Sequence, residues 1–199
     1  MVRAVLISVV SVFLMSCSNQ DRTGTEVPNI AGKLINSDSL NLRDLSKGKF
    51  TLINVWGIFC IPCMKELPIL HKVYQKYKTN KNLKFITLAM DSESELLRFL
   101  NSKDSSDPYK KMFVYSKLDS FYLPTLACLP HGYSSYYYGG YAIVEDSAEC
   151  YAIQRMIKSR FVPTTLIYNP TGQLVFKQIG SFENERPLIR TIDSLLLHQ

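Results

Sequence analysis

The chain has 199 residues, 46% of them hydrophobic and 20% charged, and a formal net charge of +6. This is enough apolar material for one globular domain with a packed core, and too little chain for two. The positive balance is spread over single and paired cations, as at Lys110 and Lys111. It reads as a solvated basic surface with some attraction to anionic membrane, and nucleic acid is not an expected partner.

The chain opens with Arg3 and an apolar run from Ala4 to Met15. A membrane-spanning helix needs roughly 20 apolar residues, and this run of about a dozen reads instead as a secretory signal. Its close, "LMSC", resembles a bacterial lipobox. By that resemblance residues 1–16 are removed, and Cys17 carries a lipid anchor that holds an exported protein at a membrane. Ser18 is not the aspartate associated with inner-membrane retention, which favours the outer membrane and a periplasmic face. An uncleaved short anchor, or an ordinary signal in which Cys17 is incidental, is the plainer alternative. The polar stretch beginning "SNQDRTGTEV" reads as a tether up to residue 28.

From residue 29 to 199 the pattern is that of an α/β domain. A turn cluster at Asn36 to Ser39 between short apolar alternations predicts a hairpin. "FTLINVW", Phe50 to Trp56, is uncharged and β-rich, as a central strand is. From Pro62 to about Lys78, Leu67, Leu70, Tyr74 and Tyr77 recur at helical spacing, with Pro68 expected to kink the helix. A second buried strand follows at Leu83 to Asp91, then a helix in "SESELLRFLNSK" capped by Ser92 or Ser94. This order predicts a βαβ unit and a central sheet with helices on both faces.

Residues from about 105 to 147 read as an insertion packed over one end of the domain. Its tyrosines at 133, 136, 137, 138 and 141 suit either edge strands packed on the domain or a lid that binds a partner. Beyond it, "SAECYAIQRMIKSRF" reads as a helix. "TTLIYNPTGQLVFKQIG" reads as a hairpin around Asn169 to Gly172, and Leu188, Ile192 and Leu195 or Leu196 mark one face of a closing helix.

The chemistry-bearing motif is "NVWGIFCIPCMKELP", Asn54 to Pro68. Cys60 sits where a buried strand gives way to a helix, among unpaired backbone N–H groups at the positive end of the helix dipole. Such positions lower a thiol pKa from about 8.5 to roughly 3.5–7.5, which makes the thiolate available at neutral pH. Cys63, one turn on, is placed to attack a mixed disulfide at Cys60. Pro62 lacks an N–H that has no helical partner there anyway.

At these residues the chain resembles the thioredoxin-fold, membrane-tethered thiol–disulfide oxidoreductases of the TlpA/ResA type. The resemblance rests on "WGIFCIPC", on Pro68 after Cys63, and on "FVPTT" at Phe161 to Thr165. It implies a thioredoxin fold with a mixed sheet, an N-terminal hairpin extension and a Tyr-rich insertion before a cis proline. By resemblance Pro163 is that proline and faces the disulfide, while Glu66 is an active-site carboxyl. Asn54 stands where ordinary thioredoxins have a buried aspartate. Trp56, Ile61, Pro62 and Val162 are then candidate substrate contacts, although Trp56 reads equally well as a core aromatic. The implied activity is reduction of disulfides in exported proteins, cytochrome c maturation among the roles. Partners are protein thiol or disulfide substrates and a membrane thiol donor, and no cofactor is required beyond the redox-active Cys60/Cys63 disulfide.

Competing readings are weaker. A zinc site would need about four ligands, and Cys128 with His131 only imitates part of one, so no metal is expected. A purely structural Cys60/Cys63 bridge closes too short a loop to remove much chain entropy. A peroxidatic P-x3-T-x2-C motif would need proline and threonine where the chain has Ile53 and Gly57. Cys128 and Cys150 suit a structural disulfide pinning the insertion, with a second exchange pair or free thiols as alternatives. His71 and His131 read as surface residues. The non-enzymatic alternative is a lipoprotein scaffold whose Tyr-rich insertion captures a partner.

Overall fold

The computed structural model describes residues 26, 27, 29, 31–34, 39–101, 106, 111, 112, 114, 123–129, 136–138, 141–143 and 161–197. Cys17, expected to carry the lipid, as well as His131, Tyr133, Cys150 and the helix expected around Cys150, lie outside the described residues.

The opening hairpin is β1 (Ala31–Leu34) against β2 (Ser39–Asn41), followed by the short α1 (Leu42–Ser46). Strand β3 (Phe50–Trp56) is buried along its whole length, which accounts for its lack of charge. It runs into α2 (Ile61–Tyr77), whose Leu67, Leu70 and Val73 are buried. Pro68 removes one N–H from the helical ladder, and the helix nevertheless continues through it for several residues to Tyr77. Then come β4 (Leu83–Ser92) and α3 (Glu93–Asn101), so Ser92 directly precedes the helix and Ser94 lies inside it.

The sheet has seven strands in the order β2-β1-β5-β4-β3-β8-β9, where β5 is Thr125–Leu129, β8 Thr164–Tyr168 and β9 Leu174–Ile179. β3 pairs with β4 in parallel and with β8 antiparallel, which makes the sheet mixed as expected. The turn between β8 and β9 is built by Asn169, whose Oδ1 accepts the N–H groups of Thr171 and Gln173. Gly172 takes a positive φ of 84° there, a conformation that favours glycine. The closing helix α4 (Arg186–Leu197) buries Leu188 and Ile192 and is tied to α2 by the Tyr77 hydroxyl, which donates to Asp193.

One expectation needs correction. Residues 105–147 are not wholly an insertion, because Thr125–Leu129 forms β5 within the sheet, parallel to β4 and antiparallel to β1. Leu126 is fully buried and the Thr125 and Thr87 hydroxyls share a hydrogen bond of 2.6 Å. Pairing with distant strands, not local pattern, fixes this segment. The tyrosine-rich part forms a separate two-stranded hairpin, β6 (Tyr136–Tyr138) with β7 (Tyr141–Ile143).

Candidate active site

The site lies where β3 ends and α2 begins. Cys60 is the N-cap of α2, with extended backbone, and its Sγ accepts the Cys63 N–H at 3.2 Å. The Cys60 carbonyl accepts the Met64 N–H at 3.0 Å, which starts the helical ladder. Cys60 and Cys63 form a disulfide of 2.05 Å. Both are nearly covered, Cys60 being 2% exposed, while Ile61 and Pro62 between them are half-buried.

Across from the disulfide, the Val162-Pro163 peptide is cis. The Val162 carbonyl oxygen lies 3.6 Å from Cys60 Sγ. The Thr164 hydroxyl donates to the Phe161 carbonyl at 2.9 Å, which fixes the turn into β8. Phe161 itself is 49% exposed, one residue before the Val162 whose carbonyl lies beside Cys60 Sγ, and sequence reading did not single it out. Its position beside Val162 was the available signal.

Glu66 is not a solvated surface residue. It is 1% exposed, and burial raises its carboxyl to about 7 against the lowering effect of two hydrogen bonds. Its Oε1 accepts the Phe182 N–H at 3.1 Å and its Oε2 accepts Asn54 Nδ2 at 3.1 Å. Asn54 Nδ2 also donates to the Thr165 hydroxyl at 2.9 Å, whereas its buried Oδ1 has no hydrogen-bond partner among the described residues. The helix thus carries a protonatable carboxyl one turn beyond Cys63, held from β3 and from the segment before α4.

Trp56 departs from the expectation of a docking residue. It is fully buried, edge-on to Phe99 of α3 with ring centroids 6.2 Å apart, because the last residue of a buried strand points into the core between sheet and helix. His71 is half-buried, its ring 3.3 Å from Gln75 Nε2. Cys128 lies in β5, and its pairing with Cys150 falls outside the described residues.

Sequence reading also missed Asp91. Parallel pairing of Trp56 with Ala89 carries β4 past the end of β3, and Asp91 there accepts the Ile58 N–H on Oδ2 at 2.8 Å. Burial raises this carboxyl to about 7; the Ile58 N–H lowers it and the charge of Glu95 raises it. An acidic residue near the end of a largely apolar strand was the only signal.

Residues 23–119 match the model of the AhpC/TSA family. Among curated proteins, the chain is 36% identical over 86 residues to the thiol-disulfide oxidoreductase ResA of Bacillus cereus, covering 43% of this chain and 49% of that one. To ResA of Halalkalibacterium halodurans it is 32% identical over 88 residues, 44% of this chain and 49% of the relative. The chain spans about half the length of these relatives. Among solved structures it resembles the thioredoxin domain of a thiol-disulfide oxidoreductase from Bacteroides vulgatus, with a TM-score of 0.53, 19% identity, and coverage of 85% of this chain and 97% of that one. A thiol:disulfide interchange protein from Chlorobium tepidum gives a TM-score of 0.56 at 14% identity, over 87% of this chain and 97% of that one. Such identities speak for the fold alone. The chain thus has a thioredoxin-type fold, with residues 23–119 similar to the AhpC/TSA family.

Proposed function

We propose that the protein is a thiol–disulfide oxidoreductase that reduces disulfides in exported proteins through Cys60 and Cys63. The observation that carries this reading is the placement of Cys60. It caps α2, accepts the Cys63 N–H, and faces the Val162 carbonyl before the cis proline. In the reduced protein the helix N-terminus and that N–H favour thiolate over thiol at Cys60. The thiolate attacks a substrate disulfide, one substrate sulfur leaves, and a mixed disulfide remains on Cys60. Cys63 then attacks Cys60 Sγ, releases the second substrate sulfur as a thiol, and regenerates the Cys60/Cys63 disulfide.

Glu66 supports the second step. A carboxyl titrating near 7 exchanges protons in the range in which Cys63 must lose one. Val162, Pro163, Ile61 and Pro62 frame the sulfur, so the substrate chain lies over them.

Export by the segment 1–16, a lipid anchor at Cys17, a periplasmic location favouring the outer membrane, and a membrane thiol that re-reduces the pair all belong to this proposal. Keeping the haem-ligating cysteines of cytochrome c as thiols, by reducing the disulfide that joins them, is the role it favours. The supports are the lipobox-like "LMSC" and the sequence similarity to proteins named ResA.

The test is insulin reduction with Cys60→Ser. Loss of turnover is expected; retained turnover would overturn the assignment.

A further inference from the structure

A buried carboxyl lies on the other side of the redox turn from Glu66, and the exchange steps above leave it without a task. Within the turn from Trp56 to Cys60, the Cys60 N–H donates to the Gly57 carbonyl at 3.1 Å, and the Ile58 N–H donates to Asp91 Oδ2 at 2.8 Å. The second bond ties the turn to β4 through a side chain that can change charge. Gly57 brings the backbone close: a β-carbon there would stand 3.6 Å from Asp91 Oδ2. The redox cysteine begins two residues beyond Ile58.

We propose that Asp91 is a positioning residue for Cys60, whose carboxylate fixes the turn in the oxidised protein and takes up a proton when the disulfide is reduced. The proposal rests on Cys60 and Cys63 being the exchange pair. With glutathione as reductant the step balances. Two glutathione thiols become one glutathione disulfide, and their electron pair breaks the Cys60/Cys63 bond. One of their two protons ends on Cys63 Sγ; the other goes in part to Asp91, about a quarter to a half of a proton for the coupling below, and the rest to the buffer, leaving Cys60 as thiolate.

The physical cause is repulsion between two anions in a covered site, where water screens poorly. Asp91 is 6% exposed and titrates near 7, so it is ionised in part at neutral pH and responds to a new neighbouring charge. Nearby acidic charge bears on Asp91 as well. Glu93 and Glu95 in the first turn of α3 are both acidic, and the charge of Glu95 already raises Asp91. Between Trp56 and Cys60 the turn carries no ionisable side chain. Glu66 on α2 is engaged by Asn54 and Phe182.

The experiment equilibrates the purified protein with glutathione at fixed reduced-to-oxidised ratios from pH 5.5 to 8.5. The readout is the alkylated fraction of the tryptic peptide 50–65, which contains only Cys60 and Cys63. Asp91→Asn keeps an oxygen for the Ile58 N–H and removes the charge. Its equilibrium constant for reduction should match the wild type at pH 5.5 and exceed it roughly three- to tenfold at pH 8.5, the effect of half to one pKa unit of coupling. The same pH-dependent excess should persist in a Glu66→Gln background. A ratio of variant to wild type that does not change with pH, or an excess that vanishes in that background, would overturn the proposal. If Asp91→Asn fails to fold, the Asp91 carboxyl is titrated by 13C NMR in the wild type; a higher midpoint in the reduced form supports the coupling, and equal midpoints overturn it. Failure of the exchange reading looks different: the pair equilibrates with glutathione while insulin is not reduced.

Discussion

Asn54 donates from Nδ2 to Glu66 Oε2 at 3.1 Å, joining the central strand to the helix that carries both cysteines. This bond stabilises the ionised carboxyl and opposes the effect of burial. Asn54→Leu keeps the number of side-chain heavy atoms and removes the donor. The Glu66 midpoint should rise further, by about one unit, since a hydrogen bond to a charged group contributes about 1.5–3 kcal/mol. Carboxyl 13C titration reads it, and an unchanged or lowered midpoint would contradict the assignment.

Glu66 also makes stability depend on pH. Its folded value of about 7 stands above the ordinary 4.5, so the folded state binds the proton more tightly. That stabilising preference is fully present below about pH 4.5 and is lost as pH rises through 7, a change of up to about 3 kcal/mol. Glu66→Gln removes the titration, and the unpartnered Asn54 Oδ1 gives the new amide an acceptor. Urea unfolding should find the variant more stable than wild type at pH 8, with the gain disappearing by pH 4.

Trp56 contributes to the core. Trp56→Ala should cost about 3–5 kcal/mol, as for other large core aromatics. Trp56→Phe should lower the melting temperature while leaving KM for insulin within about twofold, because no substrate contact is lost. A large KM effect from Trp56→Phe would restore a docking role.

Phe161 is the aromatic left at the surface beside Val162. Exposed aromatics at contact surfaces are typical anchors, and truncating one costs about 1–2 kcal/mol or more. Phe161→Ala should therefore raise KM for a folded protein substrate several-fold and leave turnover of a small disulfide unchanged. Equal effects on both substrates would point to damage at the cis-proline turn.

The parts of this site legible in sequence were those fixed by local rules. An uncharged β-rich run gave β3 to the residue, and helical spacing gave α2 within one residue at each end. The Asn-Pro-Thr-Gly turn gave the last hairpin. Glu66 and Pro163 came from family resemblance, since a glutamate on a helix carries no local mark of burial. β5 was hidden because its partners, β1 and β4, are far away in the chain and its neighbours are rich in tyrosine and glycine. Trp56 and Asp91 were misread or missed for a related reason: what they do depends on Phe99 and Ile58 across the fold, and no spacing encodes those contacts.

The most direct test of the central claim is the reduction potential of the Cys60/Cys63 pair, with Cys128 and Cys150 replaced by serine. A value near or below that of thioredoxin, about −270 mV, is predicted, and marks a reductant that requires an electron supply. A value near −120 mV would mark a disulfide donor and contradict the account.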